Sequence, residues 1–177
     1  MQIRPGSLLI AHPAHAHAQD REQVVYITES NSYSTVGLAL NTASDYDLRD
    51  LLLEQGIDFS EANTLYTGGD YNRSALVMLH TDEWYSSNTM QIHNNFSISS
   101  DHLMMEKLEM GNTPEWYRIF IGWTAWDSQD IEHQLKCNKP KWLLLANPSH
   151  VLIELADDEL WNNAIAEYSQ DVFSNYI

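Results

Sequence analysis

The chain has 177 residues, 44% apolar and 11% aromatic, enough to bury a substantial core and too apolar for a disordered segment. Its 25 acidic side chains stand against nine basic ones, for a formal net charge of −16. Such a charge repels phosphates, so direct DNA binding and anionic-membrane binding are not expected; a solvated surface, a cationic partner or an acidic mimic of nucleic acid that occupies a basic protein remain.

In chain order, "SLLIAHP" is an apolar run stopped by proline and reads as a buried strand over Ser7–Pro13. "QVVYITES" and "TVGLALN" read as two further strands. The turn cluster "NSYS" joins them into a hairpin, with Gly37 marking a bulge or a close backbone approach. "SDYDLRDLLLEQG" reads as a helix capped by Ser44 or Asp45, with Leu48, Leu51 and Leu52 on one face and Gly56 as its stop. "NTLYTGGD" and "SALVMLH" are strands, and Thr89–Ser97 is expected to be one more. "SSDHLMMEKLEMG" predicts a helix with Leu103, Met104 and Leu108 inward. "WYRIFIGW" is the clearest strand; "DSQDIEHQLK" follows as a helix that Asp127 can cap, then "KWLLLANP" as a strand. Last, Leu160, Trp161, Ala164, Ile165 and Tyr168 recur at helical spacing and make a face that docks onto the sheet. Asp157, Asp158 and Glu159 at its start complement the helix dipole. Strand runs mixed with single helices indicate an α+β, or mixed α/β, domain.

No Gly/Ser- or Pro-rich linker divides the chain, so residues 1–177 are expected to form one domain. The single cysteine, Cys137, allows no intramolecular disulfide and suits a reducing compartment. The first apolar run is too short for a secretory signal and no stretch has the length of a membrane span, so a cytoplasmic location is expected.

The ordered set "PGSLLIAHPA", "VGLALN", "LYTGG", "LVMLHT", "YRIFIGWTAW" and "KWLLLANP" resembles the YqgE/AlgH family across most of residues 4–148. The resemblance implies a curved, partly split β-sheet forming a pseudo-barrel with flanking helices. It implies no reaction or cofactor, since members are described as uncharacterised or as transcriptional regulators. The chain departs from the family at polar positions. Thr42 and Ala43 stand where the family has a basic residue and proline, and Asp70 and Tyr71 where it has Pro-Val after Gly-Gly. Asp127–Asp130 replace small residues and glutamine, and two extra residues fall near Lys139 and Pro140.

Five constellations could carry chemistry. "IAHPAHAHAQDRE" places His15 and His17 on one side of an extended segment near Asp20, a partial metal-ligand set that needs a distant partner such as His80, His93 or His102. Gly68 and Gly69 permit close backbone approach to a ligand, or form a tight turn. His80 ends a strand beside Asp82 and Glu83 and could act as a general base, although no serine elbow accompanies it. Trp123 and Trp126 could wall a groove or pack in the core. The acidic stretch at 157–159 needs no ligand. The expectation is therefore a non-enzymatic binding or regulatory domain, without cofactor, for a protein or small-molecule partner. Its candidate groove residues are Asn41, Gly68, Gly69, His80 and Trp126. A metal- or His-dependent hydrolase, with His15, His17 and Asp20 as ligands in its metal form, and the acidic mimic are the alternatives.

Overall fold

The computed structural model describes residues 2–14, 21–59 and 63–176. Among these, ten strands and five helices follow one another: β1 (Leu8–Ala11), β2 (Val24–Ser30), β3 (Ser34–Ala39), β4 (Ala43–Asp47), α1 (Leu48–Glu54), β5 (Thr64–Thr67), β6 (Tyr71–Thr81), β7 (Met90–His93), β8 (Phe96–Ser99), α2 (His102–Glu109), β9 (Tyr117–Asp127), α3 (Ser128–Lys136), β10 (Trp142–Leu145), α4 (His150–Ile153) and α5 (Asp157–Ser174). The fold is mixed α/β: a curled half-barrel sheet flanked by helices.

The main path of the sheet runs β10-β1-β2-β3-β9-β6-β8-β7. β9 is its spine. One edge of β9 pairs antiparallel with β6. The other is shared end to end by β5, parallel along Ile119–Ile121, and β3, antiparallel along Thr124–Asp127. The sheet splits here, with β4 paired to β5. Alternation by two sends successive side chains to opposite faces. Leu8, Ile10, Val24, Tyr26, Val77, Leu79 and Phe120 share one cluster with Leu160 and Ala164 of α5. Tyr26 meets Phe96, four strands away, edge-to-face at 6.2 Å, so this is the concave side. Their neighbours point outward: Leu9, Val25 and Ile27 under Ile131 of α3, and Met78 and Ile119 under Leu48 and Leu52 of α1 and Met104 and Leu108 of α2. The curl nearly closes where Gly6, ahead of β1, packs on His93 of the edge strand β7.

Arg118 ties α5 to the spine. It is almost wholly buried; Nη1 donates to the Leu40 carbonyl at 2.8 Å and Nη2 to the Leu155 carbonyl at 3.3 Å. Its guanidinium lies 4.5 Å over the Tyr66 ring and 3.8 Å from Asp157, and the Tyr66 hydroxyl donates to that same carboxylate at 3.1 Å. Burial, ahead of these charges, pushes the Tyr66 hydroxyl pKa up. The expected stripe on α5 does dock on the concave cluster, through Leu160 and Ala164 with Trp161, Ile165 and Tyr168.

Four local expectations change. Residues 43–47 form a polar strand instead of the first turn of a helix; Ser44 Oγ bonds the Leu65 carbonyl, and Asp47, not Ser44 or Asp45, caps α1 through the Arg49 N–H. Thr89–Ser97 is not one strand but most of a hairpin, because Asn94 and Asn95 both take positive φ and turn the chain in two residues. Leu103 points outward, and Met105 is buried with Met104 and Leu108. The short helix α4 has no counterpart in the sequence reading. Gly37 packs against Val25 and the Tyr26 carbonyl, while the register shift lies across from it on β2, between Ile27 and Glu29. Among the described residues no helix is long and apolar enough to cross a membrane.

Candidate functional site

At Gly122 the spine changes step. Phe120 packs on the concave cluster and Ile121 on the outer one, so strict alternation would send Trp123 outward. Instead Trp123 joins the concave cluster and Trp126 the outer cluster under α3. The extra residue is Gly122, at φ +66°, and a Cβ there would stand 2.7 Å from the carbonyl oxygens of Gly69 and Tyr71. Across from it β6 slips from Tyr71 opposite Trp123 to Leu76 opposite Ile121, so residues 72–75 form a bowed bulge in register with no single β9 residue. The glycine pair fits against this step. Gly68 donates to the Ile121 carbonyl at 2.9 Å, and its own carbonyl accepts from Ala39 N–H and Thr124 Oγ1, both at 2.9 Å. A Cβ on Gly69 would strike the Trp123 carbonyl group.

A groove of about 330 Å³ opens beside the step, a size that suits a small ligand. Gly69, Asp70 and Arg73 form one wall, Thr124 and Trp126 another, and Thr42 and Lys141 close it. Trp126 and Trp142 meet edge-to-face at 6.0 Å. Arg73 holds Asp70 at 2.9 Å, and Lys141 Nζ lies 5.5 Å from the Trp142 ring centre. A second, more open hollow of about 470 Å³ lies on the far side of the bowed segment, between α1 and α2.

Of the residues expected at a site, Gly69 and Trp126 line this groove. Gly68 lies beneath it. Asn41 stands behind the wall: its Oδ1 accepts from Val24 N–H at 3.0 Å and its Nδ2 donates to the Glu22 carbonyl at 2.8 Å, fixing the chain on either side of the lining residue Gln23. His80 is elsewhere. It pairs with Tyr117 at the far end of β9, nine residues and about 30 Å of strand from Trp126.

The surroundings of His80 are closed. Its Nδ1 lies 2.8 Å from the Thr81 carbonyl, which only accepts, so Nδ1 carries the proton and Nε2 accepts from Ser99 Oγ at 2.8 Å. Thr89 Oγ1 adjoins Ser99 Oγ at 2.7 Å and accepts from Ser86 N–H at 2.6 Å. Exposure of His80 is 0% and of Ser99 1%, so a hydroxyl–imidazole pair exists with no path for a substrate. Burial lowers the His80 pKa; the Thr81 hydrogen bond and the Glu83 and Asp82 carboxylates work against that shift. His15, His17 and Asp20 lie outside the described residues. His12 accepts from Ala14 N–H through Nδ1 at the end of β1, and among the described residues no group of three or more His, Cys, Asp or Glu could hold a metal ion.

Arg73, Lys141 and Trp142 were not singled out from sequence. The available signal is scarcity: in a chain with nine cations, one beside an aromatic or a glycine turn stands out.

A curled α/β half-barrel stepped at a spine glycine, with a groove beside a glycine pair, defines the class. With the family matched over residues 8–172, the chain belongs to the AlgH-like family (DUF179). It is similar to a UPF0301 protein of Desulfotalea psychrophila, 29% identical over 153 residues that cover 85% of this chain and 80% of that one. It is also similar to a UPF0301 protein of Alcanivorax borkumensis, 26% identical over 171 residues, 93% of this chain and 89% of that one. The solution structure of the AlgH protein from Pseudomonas aeruginosa superposes with a TM-score of 0.75 at 21% identity, covering 92% of this chain and 87% of that one. A crystal structure from Corynebacterium diphtheriae gives 0.68 at 19%, covering 93% and 86%. At these identities the solved structures establish the fold alone.

Proposed function

We propose that this AlgH-like protein is a non-enzymatic, one-domain binding protein whose ligand occupies the groove beside Gly69 and Trp126, with regulation exerted through occupancy. The observation that carries this reading is the step at Gly122, which turns Trp126 toward the groove and leaves backbone and side-chain polar groups around it. Gly69 and Trp126 are the contact residues; Asn41 and Gly68 hold the walls, and His80 serves the packing of the opposite end of the sheet. A cytoplasmic setting suits the single cysteine.

The test is a small-fragment screen followed by amide chemical shifts. Fragments are expected to perturb Gly69–Arg73 and Thr124–Trp126 together, and Trp126→Ala is expected to weaken them at least about tenfold. Fragments that perturb only other surfaces refute the reading. The Ser99–His80 pair is the observation that favours a hydrolase, and its burial speaks against one. A fluorophosphonate is expected to leave Ser99 unlabelled after hours, and labelling there would reinstate the enzyme.

A further inference from the structure

The groove is basic on an acidic protein. Two of the nine cations line it, Arg73 and Lys141, and among its described lining residues Asp70 is the one carboxylate. Asp70 and Arg73 are bound to one another, yet their side chains are 87% and 66% exposed. So exposed a pair contributes little, up to about 1 kcal/mol, and a competing carboxylate can replace one member. An arginine matches carboxylate geometry through two parallel N–H donors, of which one Nη2 contact to Asp70 is made at 2.9 Å. Beside these cations stand Trp126, half-buried, and Tyr71, exposed. The groove volume admits a ring with a short acidic arm. Two cations and a resident carboxylate, within a molecule of net charge −16, disfavour a polyphosphate.

We infer that the groove takes a small aromatic carboxylate, its ring against Trp126 and its anion at Arg73, where it displaces Asp70, with Lys141 adding positive potential. No bond is made or broken; one carboxylate exchanges for another. The inference rests on the reading of the groove as the binding site.

Indole-3-acetate and its uncharged analogue indole-3-acetamide are the probes, titrated into the full chain and followed by the amide shifts of Gly69–Arg73 and Thr124–Trp126. The acetate is expected to bind about two- to fivefold more tightly than the acetamide. Asp70→Asn is expected to strengthen acetate binding about two- to fivefold and to leave the acetamide unchanged, because it frees the guanidinium. Arg73→Gln is expected to bring the acetate down to the level of the acetamide. Both positions are exposed, so unchanged melting curves verify the fold of each variant. Equal binding of the two probes, an Asp70→Asn variant no tighter than the parent, or silence toward both probes overturns the carboxylate assignment. In each case the groove reading stands or falls separately, by whether the uncharged fragments of the screen perturb the same amides.

Discussion

His80 links stability to pH. Burial lowers its pKa in the folded chain below the ordinary 6.5, so on acidification the unfolded chain takes up the proton first. The contribution of this group is complete above pH 6.5 and is lost as pH falls from there toward the folded value. Urea midpoints are therefore expected to drop as pH falls below about 6.5, and His80→Gln is expected to flatten that drop. The same variant loses about 1–3 kcal/mol at neutral pH through the disturbed bonds to Ser99 and Thr81. A slope that persists in the variant assigns the titration to another group. Gly122 is the second sensitive residue. Gly122→Ala sets a Cβ at positive φ against two carbonyl oxygens, and a loss of roughly 2–3 kcal/mol is expected in denaturant melts. At this scale little was legible. The strand-end place of His80 could be read, but not its bond to Ser99 nineteen residues on, because a hydrogen bond between β6 and β8, strands not consecutive in the chain, leaves no periodicity.

Among the elements, α2 shows how a cap can organise more than its own helix. The Asp101 carboxylate accepts from Met104 N–H at 2.8 Å, Asn88 N–H at 3.0 Å and Ser86 Oγ at 2.5 Å, joining the helix to the loop before β7. Burial opposes its ionisation, but the Ser86 hydroxyl and the Asn88, Met104 and Leu103 N–H groups together hold its pKa below the ordinary carboxylate value. Its stabilisation is present above pH 3.8 and is lost as pH falls below that. Asp101→Ala is expected to cost about 1–2 kcal/mol and to speed amide exchange in both the first turn of α2 and residues 86–89. Protection lost in the helix alone would show that the loop stands without it. Strands with continuous apolar runs, β1, β2, β6 and β9, were legible because each buries two faces along those runs. β4 was not: "ASDYD" is a polar strip held by pairing with β5, and its acids and serine mimic a helix start. The β7–β8 hairpin was missed because two asparagines in tandem, with no glycine, supply its turn.

For the whole molecule the central question is what holds α5 in the curl. Leu160 and Ala164 bury apolar surface, and Arg118 adds a polar tie from the spine to the backbone just ahead of the helix. Arg118→Met leaves the Leu40 and Leu155 carbonyls without that donor and Asp157 without its cation. A loss of about 2–3 kcal/mol is expected. Native-state hydrogen exchange is expected to show 157–174 opening ahead of the sheet in the variant; simultaneous opening would mean that apolar docking alone governs the helix. The architecture was legible through an ordered set of core motifs largely within the span matched by the family, residues 8–172. The groove was half legible. Gly69 and Trp126 were marked by residue type, whereas the cations that give it charge come from a bowed segment and a loop, where no pattern of burial announces them.

The step at Gly122 also works as a reading frame. Residues before it are assigned to one face by odd number and residues after it by even number, so the glycine is a single inserted character that keeps both halves of the strand in sense. Deleting it would leave Phe120 in place and turn everything downstream inside out, with Trp126 thrust into the concave core and Trp123 delivered to the outer face. Helices and loops around such a strand can lengthen or shorten without altering the message. The count of residues between Phe120 and Trp126 cannot change by one without turning this half of the strand over.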